Sequence, residues 1–296
     1  MGFLLRSRRK GHRVFLSPAL FYPVPLILFP LLYLLYASLQ SWSLPGTPQF
    51  AGLSNYIALL SANDFYYSLF VTLVFTAVAV GIELVLGLSF ALLLFGEGKV
   101  VKVVRLVSLI PLVWAPAVVA LDWRLIYDTS FGPVNFILRS LGFGIIDIFS
   151  TSGQGLSQWI GILVVDLWQW TPFVSLILLS GLYSIGLDIY ESARVDGGSS
   201  LQIFRRITLP LLRPAVIIAL LFRTVDALRT FDNVFVLTNG GPGIATETLS
   251  MQVYRYTFHF FNIGYGAAES IVFGILVAAI TGTIILTFKE TILRGV

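Results

Sequence analysis

The chain has 296 residues, of which 57% are hydrophobic and only 11% are charged. A soluble domain carries roughly 25% charged residues, so this composition indicates an integral membrane protein built mostly of spanning helices. The absence of cysteine excludes disulfides and thiolate metal sites, and two histidines argue against a histidine-rich metal centre. The net charge of +4 fits basic residues that hold helix ends at the cytoplasmic surface better than a nucleic-acid interface.

Six apolar runs, each close to the ~20 residues that cross a bilayer, predict six membrane helices in one domain over residues 15–290. Their expected bounds are Phe15–Leu39, Ser68–Phe95, Val103–Tyr127, Gln158–Ile185, Ala215–Leu237 and Ala268–Phe288. The predicted fold class is therefore an all-α integral membrane protein with six transmembrane helices.

The basic residues predict which segments face the cytoplasm. Fourteen of the 19 Lys and Arg residues lie before the first span, after the last span, or in and at the edge of the loops after the second and fourth spans. Because cytoplasmic loops carry an excess of Lys and Arg, these segments are expected inside. They include the N-terminal segment 1–14, the loop 185–214 and the tail 291–296.

The longest polar stretch of the chain, residues 188–214, lies between the fourth and fifth predicted spans. Asp188 and Glu191 have the spacing of a capping box and predict a helix through Val195. Gly197-Gly198 is expected to end this helix, because glycine adopts positive φ without strain.

A second short helix is predicted directly after these glycines. Ser199 and Gln202 form another capping box, and Pro210 is expected to stop the helix after about Ile207. Three apolar residues share one face of it: Leu201, Phe204 and Ile207. An apolar stripe with an ionic rim is typical of a docked interface. The alternative is an amphipathic helix on anionic headgroups, which the interleaved acids disfavour.

This stretch also carries a family motif. Glu191-Ser192-Ala193, three residues, Gly197, nine residues and Ile207-Thr208-Leu209-Pro210 resemble the EAA loop of ABC-importer permeases. Ser192 stands where that family usually has alanine. Residues 237–243, with the sequence LTNGGPG, resemble the carbohydrate branch of the family. Within that branch the chain looks like the larger maltose permease subunit without its N-terminal extension.

The resemblance implies a type I ABC-importer permease fold with residues 185–214 as the cytoplasmic coupling loop. The implied partners are a second homologous permease, two ATP-binding subunits, an extracytoplasmic sugar-binding protein and membrane lipid, but no nucleic acid. The implied location is the prokaryotic plasma (inner) membrane, with both termini cytoplasmic. The coupling residues that it assigns are Glu191, Ser192, Ala193, Arg194, Asp196, Gly197, Leu201, Phe204, Ile207 and Pro210.

The chain itself is not expected to be an enzyme or to hold a cofactor or metal. It has no G-x-x-x-x-G-K-[ST] motif, whose backbone would cradle ATP phosphates. Mg-ATP is expected on the partner subunits.

Polar side chains within the predicted spans mark candidate substrate contacts, because each charge costs roughly 2.5–3.5 kcal/mol on insertion scales. Carboxylate, amide and aromatic groups on one helix face suit a sugar, which offers hydroxyls and flat C–H faces. The candidates are Asp166, Gln169, Trp170, Phe173, Arg223, Asp226 and Thr230. Two alternatives stay open: Asp166 pairs with an arginine of another span, or Arg223 and Asp226 neutralise each other. Glu83 is expected to be a buried structural acid, protonated or paired.

The sequence thus predicts the permease of a binding-protein-dependent sugar importer, which carries a di- or oligosaccharide or a related polyol. One alternative is an ABC permease for a non-sugar solute. Another is an autonomous secondary transporter or a membrane enzyme, which would show internal repeats or a polar catalytic cluster.

Overall fold

The computed structural model describes residues 23–96, 98–145, 147 and 155–294. Contacts within the chain divide it into two compact units. The larger comprises Asn63–Gln252 with Ile275–Val296, and the smaller comprises Met1–Ala62 with Val253–Gly274.

The first described elements of the smaller unit are two helices and a short hairpin between them. These are α1 (Pro23–Ser38), the antiparallel strands β1 (Gln40–Ser41) and β2 (Gln49–Phe50), and α2 (Ser54–Ser61). Asn55 Nδ2 donates to the carbonyls of Ser38 and Gln40 at 2.9 and 2.8 Å, which holds the hairpin on α2. The first predicted span lies partly outside the described residues, and its described part is a 16-residue apolar helix.

The remaining helices follow in chain order. They are α3 (Asn63–Leu93), α4 (Lys99–Val107), α5 (Ile110–Val113), α6 (Pro116–Ile126), α7 (Pro133–Ser140), α8 (Leu156–Ser184), α9 (Leu187–Val195), α10 (Ser200–Ile203), α11 (Leu209–Leu211), α12 (Arg213–Leu228), α13 (Asp232–Leu237), α14 (Leu249–Tyr254) and α15 (Ile263–Arg294). Two π-helical turns, Phe204–Thr208 and Arg255–His259, follow α10 and α14.

In the part of the chain that the structure describes, three helices are long and apolar enough to cross a membrane: α3, α8 and residues Ile263–Thr291 of α15. They coincide with the second, fourth and sixth predicted spans. Helices α3, α8 and α12 meet in an apolar core made of Ala91, Leu94, Val174, Leu178, Leu179, Leu182, Leu212, Ala215 and Ala219. Large apolar side chains on the outer side of α3 stay exposed, as lipid contact requires.

The third predicted span is not one continuous helix, but a pair of helices that form at most one broken span. Residues Lys99–Val113 and Pro116–Ile126 meet at a bend of 100°. Trp114 and Ala115 are extended, with ψ of 141° and 136°. Pro116 causes the break because a proline disfavours the helical conformation of the residue before it.

The fifth predicted span is also interrupted, since α12 ends at Leu228 and α13 begins only at Asp232. The carbonyl of Thr230, which falls in the interruption, accepts a hydrogen bond from Thr248 Oγ1 at 3.1 Å. A helix can break at membrane depth only where such a partner satisfies the freed backbone group. Within the described residues, the helices long and apolar enough to span therefore number three, or four if the bent pair counts as one span, and six spans stay a prediction.

We predict that Gly87→Ala destabilises the larger unit, because α3 and α8 leave no room for a side chain there. A Cβ at Gly87 would lie 2.6 Å from Val174 Cγ1 and 3.2 Å from the Ser175 nitrogen. The expected loss is about 1–3 kcal/mol, as is typical of overpacking, read as a lower melting temperature in detergent. Gly81→Ala is the matched control on the same helix, since its Cβ would meet no atom within 4 Å. Equal destabilisation by both changes would contradict the close packing.

Candidate functional site

A buried arginine joins three helices of the larger unit. Arg223 of α12 is 0% exposed. Its Nε and Nη2 donate to the two carboxylate oxygens of Glu83 on α3, at 2.6 and 2.7 Å. Nη2 also donates to Asp166 Oδ2 on α8 at 2.9 Å, and Nη1 donates to Asp226, one turn further along α12. One guanidinium therefore holds α3, α8 and α12 together.

These four side chains form the Arg223 cluster, in which three carboxyl groups share one guanidinium. Four of the five guanidinium N–H groups face carboxylates. Glu83 and Asp166 are buried, whereas the side chain of Asp226 is 49% exposed. Buried charges are tolerated only when paired and hydrogen-bonded. The cluster therefore satisfies its buried members and leaves one carboxylate accessible.

Aromatic rings lie beside the cluster. The centroid of the Trp170 ring is 4.8 Å from Arg223 Cζ, within the range of a cation–π contact. The Phe173 ring packs edge-on against Trp170 and against Phe222, with centroids 6.1 and 6.2 Å apart. Trp170 and Phe173 are half-buried, and Phe222 is 61% exposed. A partly open apolar wall and the accessible carboxylate of Asp226 thus both lie against Arg223.

The structure brings five of the seven predicted path residues together: Asp166, Trp170, Phe173, Arg223 and Asp226. Gln169 points elsewhere, since its Nε2 donates to the Trp114 carbonyl at 3.3 Å. Thr230 is half-buried at the end of α12, outside the contacts of the cluster.

Both of the structural pairings that the sequence left open are present. Asp166 pairs with an arginine of another helix, and Arg223 pairs with Asp226 within α12. Glu83, expected to be a buried and paired or protonated acid, is the two-point partner of Arg223. Sequence reasoning did not place it in this cluster. The available signal was a membrane arginine whose neighbouring acid alone could not satisfy five donors.

The coupling segment, residues 187–211, forms a second candidate site. Helix α9 begins at Leu187 with Gly186 at its N-cap and no side-chain capping bond, so the first predicted capping box was wrong. Asp188 lies inside the first turn, where its charge still favours the helix N-terminus. Gly197 ends α9 with a φ of +80°, which confirms the predicted glycine break.

The second capping box is confirmed, but the predicted stop at Pro210 was wrong. Ser199 N–H donates to Gln202 Oε1 at 2.9 Å, and Gln202 N–H donates to Ser199 Oγ at 3.4 Å. The helical path then continues through the π turn into α11. Leu209 N–H donates to the Phe204 carbonyl five residues back. Pro210 falls in the first turn of α11, where its missing N–H is tolerated.

Most of the predicted coupling residues are exposed: Glu191, Ser192, Arg194, Asp196, Gly197, Leu201 and Pro210. Ala193, Phe204 and Ile207 are half-buried, so the predicted apolar stripe is divided. Leu201 points outward, and Phe204 lines a cavity of 280 Å³ between the coupling segment and the ends of α3 and α8. Exposed apolar and charged side chains together are typical of a protein interface.

The comparisons with known proteins agree with this architecture. The sequence pattern of the family described as "Binding-protein-dependent transport system inner membrane component" matches residues 6–294. The chain is 45% identical over 240 residues to the trehalose/maltose transport system permease protein MalF of Thermococcus litoralis, covering 80% of this chain and 79% of the relative. It is 35% identical over 268 residues to the sulfoquinovosyl glycerol transport system permease protein SmoG of Agrobacterium fabrum, covering 90% and 86%.

Its fold is similar to that of a chain in the crystal structure of a bacterial alginate ABC transporter in complex with an alginate pentasaccharide-bound periplasmic protein. The TM-score is 0.82 at 20% sequence identity, covering 97% of this chain and 96% of that chain. This likeness shows a shared fold.

Removal of Arg223 is expected to leave buried carboxylates without their partner. We predict that Arg223→Ala lowers the stability by about 3–5 kcal/mol, the usual cost of breaking a buried ion pair from one side. Thermal unfolding of the detergent-purified protein measures this loss. Arg229→Ala is the matched control, because Arg229 is exposed at the end of the same helix and its removal should cost less than ~1 kcal/mol. Comparable melting temperatures for the two variants would contradict the structural importance of the cluster.

Proposed function

The chain belongs to the family of inner-membrane components of binding-protein-dependent transport systems, and we propose that it is one permease half of an ATP-driven sugar importer. The family is one of transport permeases, not of enzymes. The proposed assembly adds a second homologous permease, two subunits that bind Mg-ATP and hydrolyse it, and an extracytoplasmic sugar-binding protein. In this assembly, residues 15–290 form six spans of a prokaryotic plasma membrane, and residues 1–14, 185–214 and 291–296 face the cytoplasm.

One observation carries the sugar proposal: Arg223 contacts both the accessible Asp226 carboxylate and the Trp170 ring, from which Phe173 and Phe222 continue the aromatic wall. A sugar donates its hydroxyls to a carboxylate and lays its C–H face on aromatic rings. The name of one relative, which refers to trehalose or maltose, supports a glycoside as the substrate.

The charges of the site favour an uncharged sugar. Arg223 is buried and has at most one N–H group that does not face a carboxylate. An anionic substrate would therefore gain no ion pair from this arginine and would meet the accessible carboxylate of Asp226 instead. A neutral di- or oligosaccharide, or a neutral polyol, can instead donate hydroxyl hydrogens to Asp226. A non-sugar anion as the transported solute is disfavoured on the same ground.

The coupling segment is the proposed contact with an ATP-binding subunit. Leu187, Val195 and Leu201 are exposed apolar residues among exposed charges of both signs, a mixture that suits a protein partner. Anionic lipid is the competing partner for an amphipathic helix. The exposed acids Asp188, Glu191 and Asp196 oppose binding to it, because like charges repel at the membrane surface.

We predict that Gly197→Arg and Glu191→Lys abolish sugar uptake while the protein stays in the membrane. Gly197 is exposed and a side chain there meets no atom within 4 Å, so arginine alters the surface and strains only the turn. The measurement is ATP-dependent sugar uptake by the reconstituted complex, in which the wild type should transport only with ATP.

The matched control is Gly142→Arg, since Gly142 also has a φ of +80° and open space around it but lies outside the coupling segment. Its uptake should stay near that of the wild type. Wild-type uptake by Gly197→Arg and Glu191→Lys would rule out the docking proposal.

A further inference from the structure

A set of side-chain hydrogen bonds connects the end of α3, the helix α4 and the last turn of α8. Arg105 of α4 donates from Nη2 to the carbonyls of Leu94 and Gly96, at 2.8 and 3.3 Å, and to the hydroxyl of Tyr183 at 2.9 Å. That hydroxyl donates to the Gly96 carbonyl at 3.0 Å. One guanidinium and one phenol thus secure the chain as it leaves α3.

The chemistry of this position explains why an arginine suits it. Leu94 and Gly96 follow the C-terminus of α3, where helix carbonyls lack partners within the helix. The negative end of the helix dipole attracts a cation at the same place. Arg105 supplies both the donors and the charge, so it caps α3 and fixes α4 against it.

Phe95 connects this set of contacts to the coupling segment. Its ring packs against the Tyr183 ring at 5.0 Å and lies 6.5 Å from the ring of Tyr190 in α9. Phe95 and Tyr190 both line the 280 Å³ cavity under α9. Because a cavity rather than continuous packing separates α9 from the end of α3, these rings provide the direct path between the two helices.

We propose that Arg105, Tyr183, Phe95 and Tyr190, here called the Arg105 clamp, transmit the movement of α9 to α4 during transport. The inference rests on the proposed docking of the coupling segment on an ATP-binding subunit. Arg105 and Tyr183 are positioning residues, which contact neither the sugar nor the docking surface. With the clamp, α4 moves with α9; without it, α9 drives α8 and α12, which the loop connects, and α3, which the Arg223 cluster joins to them, but not α4.

The direct test is the number of sugar molecules imported per ATP hydrolysed by the reconstituted complex. Arg105→Ala should lower this ratio about tenfold, because it removes several bonds from a charged donor. Tyr183→Phe, which keeps the ring and removes only the hydroxyl, should lower it by a smaller factor. ATP hydrolysis and co-purification of the ATP-binding subunits should stay at the wild-type level in both. Lys102→Ala is the matched control, since Lys102 is an exposed residue of α4.

A distance measurement separates transmission from a general loss of stability. The chain has no cysteine, so spin labels can be placed at Lys102→Cys on α4 and Asp188→Cys on α9. The labelled protein with Arg105 and Tyr183 intact should give one narrow distance distribution with and without ATP. Arg105→Ala and Tyr183→Phe should broaden it or make it depend on ATP.

The outcomes distinguish the clamp from the docking proposal. If ATP-binding subunits never bind the wild-type chain, docking itself is wrong. If docking holds but the ratio and the distances are unchanged in Arg105→Ala and Tyr183→Phe, the clamp is overturned. Uptake and ATP hydrolysis that fall in equal proportion, with unchanged distances, would also overturn it, since that result indicates structural damage only.

Discussion

The larger unit depends on one guanidinium that three carboxylates hold. Apolar packing also joins α3, α8 and α12, but the hydrophobic effect that drives it is non-directional and roughly proportional to the buried area. The four hydrogen bonds of the Arg223 cluster are directional, and they join Arg223 to acids on all three helices. They therefore fix the positions of the helices along one another. A helix that slid past the others would leave a buried charge unpaired, at a cost of about 3–5 kcal/mol. The three helices are therefore expected to move together.

The same constraint determines what the site offers a substrate. Once Arg223 is committed to its carboxylates, the accessible groups are the Asp226 carboxylate and the rings of Trp170, Phe173 and Phe222. That set accepts hydroxyl hydrogens and covers apolar faces, and it repels anions. Structural and substrate-lining interpretations of these residues are thus compatible: the arginine serves the fold, and its neighbours remain available to a sugar.

Local rules predicted what depends on local chemistry. Uninterrupted apolar runs predicted α3, α8 and α15, because a run of ~20 apolar residues suits a spanning helix, and Ser199 and Gly197 predicted a helix start and a helix end. Pro116 could have predicted the break at Ala115, because proline disfavours a helical residue before it. The apolar run continues across the break, however, so the run alone predicted one span. The bond of the Thr230 carbonyl to Thr248 and the pairing of Arg223 with Glu83, 140 residues away in sequence, depend on which helix faces meet. No local pattern contains that information.

The most direct measurement compares the uptake of a neutral disaccharide with that of its uronic acid analogue, for the wild type and for Asp226→Asn. Both proteins use the same binding protein, partner permease and ATP-binding subunits, so the change in the uptake ratio isolates this chain. If Asp226 accepts sugar hydroxyls and repels anions, the ratio of neutral to anionic uptake should fall about tenfold in Asp226→Asn. An unchanged ratio, or a wild type that prefers the anionic sugar, would contradict the account.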